Sequence, residues 1–178
     1  VYRKLKTEER TPMQILSILK NVSHNVFILE SVENQKKLGR YTFIGYDPKL
    51  EISATDGCVK IKSGTTITVE NADPSEYIRK ILAENKSERV DGLPPFTGGL
   101  VGYFSYDYMK YKEKGLKLDG YDEEGFCDVD LMLFDKVIAV DHQKKEIILI
   151  INVRMEDYET NYNKAIFDLN QMEQLIMQ

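Results

Sequence analysis

Apolar residues in this 178-residue chain recur with two periods, one typical of helices and one typical of strands. Helical spacing begins after Thr11 and after Asp73, where a capping residue is followed by proline at the first helical position. A third amphipathic helix is predicted from Asp157 onward. The positions expected to be buried are Ile15, Leu16, Leu19 and Val22 in the first helix, Tyr77, Ile78, Ile81 and Leu82 in the second, and Tyr158, Tyr162, Ile166, Leu169, Met172 and Ile176 in the third.

Short apolar runs bounded by turn residues predict the strands. Asp56-Gly57 is a hairpin dipeptide, and a second hairpin is expected around residues 141–144. Because most connections between successive strands are short, the pattern favours an α+β fold, with mostly antiparallel sheets and flanking helices, over a doubly wound parallel sheet. A single domain over residues 1–178 is predicted, with a seam near residues 85–95. The predicted strands are residues 25–31, 40–45, 50–55, 59–62, 65–70, 98–105, 131–140 and 146–153.

Composition narrows the class of protein. Hydrophobic residues make up 42% of the chain and charged residues 30%, which indicates a soluble globular protein with a packed core. The net charge of -5 argues against a nucleic-acid partner, and no apolar run is long enough to span a membrane. The polar start does not resemble a signal peptide, and two cysteines without metal-ligand spacing fit free thiols in the cytoplasm.

Nucleophile, metal and phosphate-loop motifs are not evident in the sequence. His24 and His142 have no partner at ligand spacing and are interpreted as structural or solvated. Asp128 and Asp130 share a strand face, where a metal site is conceivable but a solvated strand start is favoured. The glycines of residues 98–102 lack the dinucleotide-binding spacing, so we interpret them as a strand that another backbone or a ligand approaches closely.

One pair of predicted strands carries a candidate binding site. Leu29 and Ser31 lie on one face of their strand and Glu30 on the other, while Arg40 opens the next strand. The planar donor fork of arginine suits a carboxylate, and an apolar wall beside polar groups suits a small amino acid. The alternative for these residues is a structural salt bridge and a turn.

Three segments resemble a known family when they are taken together and in order. They are FILESVENQKKLGRYTFIG (27–45), PPFTGGLVGYFSYD (94–107) and CDVDLMLFDKVIAVDH (127–142). They are similar to the amino-terminal half of the chorismate-utilising enzymes, most closely the large subunit, component I, of anthranilate synthase. The resemblance extends over nearly the whole chain and implies the amino-terminal half of a layered α+β sandwich.

The resemblance implies a regulatory role for this half. Ser31 matches the serine that contacts the feedback inhibitor L-tryptophan in the family, with Leu29 and Glu30 beside it, and Arg40 falls where a basic residue lines the same pocket. The family converts chorismate and ammonia, supplied from glutamine by a glutamine amidotransferase subunit (component II), to anthranilate and pyruvate. Its chorismate site, its Mg²⁺-binding glutamates and its acid and base residues lie in the carboxy-terminal half. We therefore expect no catalytic or metal-binding residue in this chain, and no activity from it alone.

The sequence leaves two alternatives open. The glycine-rich block is shared with aminodeoxychorismate synthase, the sister enzyme of folate precursor synthesis, although the Leu-Glu-Ser motif favours anthranilate synthase. A stand-alone small-molecule-binding or subunit-docking module is the other alternative. The chain begins without methionine and keeps its apolar helix pattern to Met177, so the sequence is expected to be a piece of a longer protein.

Overall fold

The structure is a computed structural model that describes residues 1–6, 10–31, 39–113, 115 and 123–177. Its helices are α1 (Pro12–Lys20), α2 (Pro74–Glu84) and α3 (Tyr158–Met177), and a 3-10 helix covers Tyr106–Tyr111. The strands are β1 (Tyr2–Lys6), β2 (Val26–Glu30), β3 (Tyr41–Tyr46), β4 (Leu50–Thr55), β5 (Cys58–Ser63), β6 (Thr66–Asn71), β7 (Gly99–Phe104), β8 (Val129–Phe134), β9 (Lys136–Asp141) and β10 (Glu146–Ile151).

The first of two compact units comprises residues 1–48, 87–98 and 134–178. Its sheet has the strand order β1-β10-β9-β3-β2, and each pair of adjacent strands is antiparallel. Helices α1 and α3 pack on one face of this sheet, where apolar side chains at helical spacing meet alternate strand residues. The buried core on that face consists of Ile15, Leu16, Leu19, Ile44, Ile138, Val140, Ile147, Leu149, Ile151, Ala165, Leu169, Met172 and Ile176.

The opposite face of the same sheet carries a smaller apolar cluster. Ala139, Ile148 and Ile150 are buried there, with Phe43 and Leu93 packed against them. Because β9 and β10 are covered on both faces, their residues form nearly continuous apolar runs instead of alternating with polar residues. The central strands of this sheet are therefore its most tightly packed part, and they provide a rigid support for residues at its edge.

The second unit comprises residues 49–86 and 99–133. Its sheet has the order β6-β5-β4-β8-β7, with helix α2 against it. Asp56 and Gly57 both have positive φ, 50° and 80°, as the tight β4–β5 hairpin requires. The buried core of this unit is Ile52, Ala54, Val59, Ile81, Val129, Leu131 and Leu133.

The close backbone approach predicted for the glycine-rich strand is confirmed within each unit. A Cβ on Gly102 would overlap the carbonyl oxygen of Asp130 and lie 2.9 Å from the Cα of Leu131. A Cβ on Gly98 would lie 2.9 Å from the carbonyl oxygen of Phe134. Both glycines also have φ near +155°, which residues with a side chain rarely adopt.

The α+β class, the antiparallel sheets and the starts of α1 and α2 are confirmed. Thr11 and Gln14 form a complete capping box at α1, and the side chain of Asp73 caps α2 by accepting from the Ser75 N–H at 2.8 Å. The hairpins predicted around residues 56–57 and 141–144 are also confirmed. Within the described residues, no helix has both the length and the apolar character that a membrane span requires.

Some sequence predictions were wrong. Val22 lies beyond the end of α1 and is 55% exposed, and Leu82 is 48% exposed because the buried face of α2 runs through Ile81. Tyr158 and Tyr162 are also exposed, at 52% and 39%, since the buried residues of α3 begin at Ala165. The predicted single strand 131–140 is two strands, β8 and β9, which belong to different sheets.

The interruption of that strand has a local cause at Asp135. Its carbonyl accepts from the backbone N–H of Asn152 at 2.8 Å and from Asn152 Nδ2 at 3.3 Å. The chain thus leaves one ladder after Phe134 and enters another at Lys136. An apolar run alone does not report such a change of sheet, because both strands are buried. The single-domain assignment for residues 1–178 stays a prediction.

Candidate functional site

The register between β2 and β3 brings together the four residues named from the sequence. Leu29 pairs with Phe43, and Glu30 pairs with Thr42. Ser31 directly follows Glu30 at the end of β2, and Arg40 directly precedes Tyr41 at the start of β3. All four therefore lie within two residues of the Glu30–Thr42 pair, at one end of the β2–β3 pair, in which β2 is the edge strand of the sheet.

The faces of β2 are assigned as the alternation predicted. Ile28 packs against the core under the helices, and Glu30 points to the same side as Ile28. Leu29 points to the opposite side with Phe43, and its side chain is 46% exposed. Ser31 is exposed. An apolar side chain and a carboxylate thus flank the strand end from opposite faces.

Arg40 is tied to Asp141, the last residue of β9. Arg40 Nε donates to both carboxylate oxygens of Asp141 at 3.2 Å, and Arg40 NH2 donates to Oδ2 at 2.7 Å. The Asp141 side chain is 1% exposed, whereas that of Arg40 is 30% exposed. The guanidinium therefore connects a buried carboxylate to the surface of the strand end.

Asp141 is also bonded to the turn that follows it. One carboxylate oxygen accepts from the backbone N–H groups of Gln143 and Lys144 at 3.0 Å each. Burial alone would raise the pKa of the Asp141 carboxyl, but hydrogen bonds from Arg40 and from these N–H groups hold it below its ordinary value. The same ion pair raises the pKa of Arg40, mainly through the hydrogen bond to Asp141. Both groups are therefore charged over the whole physiological pH range.

A second polar chain joins Glu30 to His142 through Thr42. Thr42 is fully buried, and its Oγ1 lies 2.7 Å from His142 Nε2 and 3.4 Å from Glu30 Oε1. The backbone N–H of His142 donates to the carbonyl of Arg40 at 2.9 Å, which extends the β3–β9 ladder by one step. The hydroxyl can donate its one proton to Glu30 while it accepts from His142 Nε2–H, or it can donate to an unprotonated Nε2, so the tautomer of the imidazole decides which contact it makes.

Aromatic rings line the face of this sheet opposite the helices. The Arg40 guanidinium carbon lies 4.8 Å from the ring centre of Tyr41, which stacks on Phe43 with centroids 5.8 Å apart. The ring of Phe43 meets Phe96 edge-on at 5.5 Å, and Phe96 meets Phe27 at 6.2 Å. The candidate site thus combines a cation, a carboxylate and an apolar aromatic wall.

The second unit contains a separate polar cluster around Asp128. Asp128 Oδ2 accepts from the Asp56 N–H at 2.8 Å and from Tyr111 Oη at 2.6 Å, and Lys110 Nζ lies 2.8 Å from Oδ1. Tyr111 Oη in turn accepts from the Gly57 N–H at 2.7 Å. The interpretation of Asp128 as a solvated strand start is therefore wrong, because this buried carboxylate ties the 3-10 helix to the β4–β5 turn.

Burial and hydrogen bonds together shift the pKa values of that cluster. Burial and the hydrogen bond to Asp128 raise the pKa of Tyr111 to about 12. Burial would also raise the pKa of Asp128, but hydrogen bonds from Lys110, Tyr111 and the Asp56 N–H lower it below its ordinary value.

An open depression of about 430 Å³ beside Tyr111 is lined by second-unit residues and includes none of the four candidate residues. Among the described residues, no group of three His, Cys, Asp or Glu side chains is arranged to hold a metal ion.

Sequence reasoning missed the partners of the candidate residues. The sequence pattern places Asp141 in a turn and indicates no role near Glu30 for Thr42 or His142. A usable signal was present at Asp141, an acidic residue that ends an apolar strand and starts a turn, where its carboxylate bonds N–H groups two and three residues later. Its pairing with Arg40 depends on the contact between β3 and β9, which are about 100 residues apart.

Comparisons with known proteins agree with this architecture. A crystal structure of anthranilate synthase component I from Streptococcus pneumoniae TIGR4 is similar with a TM-score of 0.56 over 94% of this chain and 36% of that one. At 24% sequence identity, this likeness establishes the fold.

Three curated relatives extend the comparison to sequence. Anthranilate synthase component 1 of Acinetobacter calcoaceticus is 34% identical over 182 residues, which cover 99% of this chain and 36% of that protein. The protein of the same name from Saccharomyces cerevisiae is 36% identical over 142 residues, 78% of this chain and 26% of that one. Aminodeoxychorismate synthase component 1 of Bacillus subtilis is 30% identical over 162 residues, 91% of this chain and 32% of that one.

These matches identify the family and also show how much of each relative the chain covers. The chain spans about a third of the length of the first two bacterial relatives. A family model described as chorismate binding enzyme matches residues 24–175. The resemblance to anthranilate synthase component I inferred from the sequence is therefore confirmed, and the chain belongs to the chorismate-binding enzyme family.

Proposed function

We propose that this chain is the regulatory part of an anthranilate synthase component I and carries part of its L-tryptophan feedback site. The complete enzyme would convert chorismate and ammonia to anthranilate and pyruvate in the cytoplasm. The observation that carries the proposal is the convergence of Leu29, Glu30, Ser31 and Arg40 at one end of the β2–β3 pair. The similarity to anthranilate synthases over most of the chain supports it.

The chemistry of these side chains fits a zwitterionic aromatic amino acid. The Arg40 guanidinium would bind the ligand carboxylate, for which its planar fork is suited. Ser31, which alternation puts on the same face of β2 as Leu29, would bind the ammonium group through its hydroxyl oxygen, and the Glu30 carboxylate would lie beside it at the strand end. Leu29 and the neighbouring Phe43 would contact the indole ring. A pair of aromatic rings contributes stabilisation in addition to that from the apolar area it buries.

Inhibition would act through a conformational equilibrium of the complete enzyme. Tryptophan shifts such an equilibrium by the difference between its affinities for the active and inactive states. Glu30, Ser31 and Arg40 lie at the ends of strands, and β3 continues into the sheet core through Ile44. A ligand that fixes the strand ends would therefore favour one arrangement of the site.

The catalytic steps of the reaction are proposed to take place outside this chain. We propose that chorismate and Mg²⁺ bind outside this chain, that a glutamine amidotransferase subunit supplies ammonia, and that the 178 residues alone are inactive. Within the described residues, no group of three metal-ligating side chains could hold Mg²⁺. No step of the reaction is therefore assigned to residues of this chain.

The test uses the complete reading frame. The purified protein is supplied with chorismate, ammonium and Mg²⁺, anthranilate is followed by its fluorescence, and L-tryptophan is then added. Formation of anthranilate that tryptophan blocks supports both parts of the proposal. Anthranilate formation by the isolated 178-residue chain would refute the assignment of catalysis to other polypeptide.

A second candidate function is component I of aminodeoxychorismate synthase. The observation that favours it is the 30% identity to the Bacillus subtilis protein over 91% of this chain. The same assay separates the two enzymes, because aminodeoxychorismate retains the side chain that anthranilate synthase eliminates as pyruvate. Chorismate consumption without pyruvate release would favour this second candidate. A stand-alone binding module would consume no chorismate at all.

A further inference from the structure

We propose that Asp141 is a positioning residue for the inhibitor site, which holds the Arg40 guanidinium so that its remaining edge binds the carboxylate of an amino-acid ligand. This inference rests on the proposed function, since it concerns the same site. It adds a residue of β9, outside the segment of residues 29–40 that the sequence indicates.

The geometry of the ion pair leaves a defined edge of the guanidinium for a ligand. Asp141 engages Arg40 through Nε and NH2, the side-on pair of donors. A guanidinium has five N–H groups in one plane, so side-on pairing leaves the end-on fork formed by NH1 and the outer hydrogen of NH2. A second carboxylate in that plane can bind this fork with two parallel hydrogen bonds.

Asp141 is a suitable anchor because it cannot easily move. Its backbone pairs with Tyr41 on one side and Glu146 on the other, and its side chain is 1% exposed. Its carboxylate also accepts two backbone N–H groups from the following turn. Displacing it would leave a buried charge without compensation, which is strongly unfavourable.

The Arg40 guanidinium is also held by a contact on one of its faces, in addition to the hydrogen bonds within its plane. Tyr41 lies under Arg40, with its ring centre 4.8 Å from the guanidinium carbon, and Tyr41 itself stacks on Phe43. An arginine held in plane by Asp141 and from below by Tyr41 loses little further freedom when a ligand binds. Such preorganisation strengthens binding because the ordering cost has already been met in the folded protein.

A matched control is present in the same unit. Arg3 and Glu173 also form an ion pair between an arginine and a carboxylate, but both side chains are about one-third exposed, at 33% and 34%. Exposed pairs of this kind stabilise little and hold neither partner rigidly. Glu173→Gln therefore removes an ion pair of the same chemistry without changing the inhibitor site.

The experiment compares L-tryptophan with L-tryptophanamide as inhibitors of the full-length enzyme. The amide lacks the carboxylate charge, so the ratio of the two inhibition constants reports on carboxylate recognition. For each variant, the inhibition constants are determined from rates expressed as a fraction of the uninhibited rate of that variant. We expect Asp141→Asn to reduce the preference for tryptophan by about tenfold, the effect of weakening one charge-assisted hydrogen-bond pair. Glu173→Gln is expected to retain the wild-type ratio.

A double variant tests whether Asp141 acts through Arg40. Arg40→Ala should lose the preference at least as fully as Asp141→Asn, and the double variant should lose no more than Arg40→Ala. Additive losses, or an unchanged ratio in Asp141→Asn, would overturn the inference while leaving the proposed function in place. A wild-type enzyme that tryptophan does not inhibit would overturn the proposed function and this inference with it.

A second variant covers the case in which Asp141→Asn does not fold. Arg40→Lys keeps a positive charge beside Asp141, but an ammonium group is a point charge without a planar fork. We expect it to lose the preference for tryptophan over the amide by a similar factor. A wild-type ratio in Arg40→Lys would show that orientation of the cation is unimportant and would overturn the inference.

Discussion

The ring of Phe27 occupies the space beside the Cα of Gly45, its direct partner in the β2–β3 register. A Cβ at position 45 would overlap Cε1 of that ring and lie 2.9 Å from Cδ1 and Cζ. The ring is held by edge-on contacts with Phe96 and Phe134, whose centroids are 6.2 Å and 4.7 Å away. Gly45 and Phe27 thus support the strand pair that carries the candidate site.

Gly45→Ala is expected to destabilise the protein by about 1–3 kcal/mol, the usual cost of adding a methyl group to a packed position. The Phe27 ring cannot easily move aside, because Phe134 is buried against it. Urea unfolding measures the change. Phe27→Leu should partly rescue Gly45→Ala, so that the double variant loses less than the sum of the single losses. Strictly additive losses would show that the ring and the methyl group do not compete.

Local chemistry was sufficient to predict much of the fold. The Thr11–Gln14 capping box, the Asp73 cap and the Asp56-Gly57 hairpin depend on neighbouring residues, and each lies where the sequence placed it. The alternation along β2 likewise placed Leu29 and Glu30 on opposite faces. These features are predictable because the physical cause lies within a few residues of the effect.

Features that depend on distant contacts were not predictable. The apolar run 131–140 gave no indication that β8 and β9 enter different sheets, since both strands are buried. The partner of Arg40 could not be deduced either, because Asp141 lies 101 residues away and reaches it through the pairing of β3 with β9. Strand order within a sheet is set by packing of the whole unit, which short sequence patterns do not encode.

Gly102→Ala is expected to weaken the second unit more than an ordinary glycine substitution does. Its Cβ would overlap the backbone of Asp130, and its φ of 156° disfavours a side chain. A loss of about 2 kcal/mol or more in urea unfolding is expected, because backbone atoms cannot move aside as a flexible side chain can. Gly115→Ala is the matched control, since no residue that the structure describes lies within 4 Å of a Cβ there. Equal effects of the two substitutions would contradict this account of the β7–β8 contact.

Acid is expected to destabilise the protein partly through Asp128. Its pKa in the folded protein lies below the ordinary value of about 3.9, so the unfolded chain binds the proton more tightly. The stabilisation that this carboxylate contributes is therefore complete above about pH 5 and is lost as the pH falls through the folded pKa. Urea unfolding between pH 7 and pH 3 measures the loss. Asp128→Asn should be less stable at pH 7 and show a shallower decline, and an unchanged decline would contradict the assignment.

Ser31→Leu is expected to raise the tryptophan concentration needed for half-maximal inhibition of the full-length enzyme by tenfold or more, a ~1.4 kcal/mol effect. Ser31 directly follows β2, beside Glu30 and near the start of β3, so a leucine there would replace a hydroxyl with an apolar group that cannot bind the ligand ammonium. Inhibition is measured relative to the uninhibited rate of each variant. Ser63→Leu, an exposed serine at the end of β5, is the matched control and should keep wild-type sensitivity. Full tryptophan sensitivity in Ser31→Leu would remove Ser31 from the proposed site, whereas a selective loss would place the ligand at the end of the β2–β3 pair.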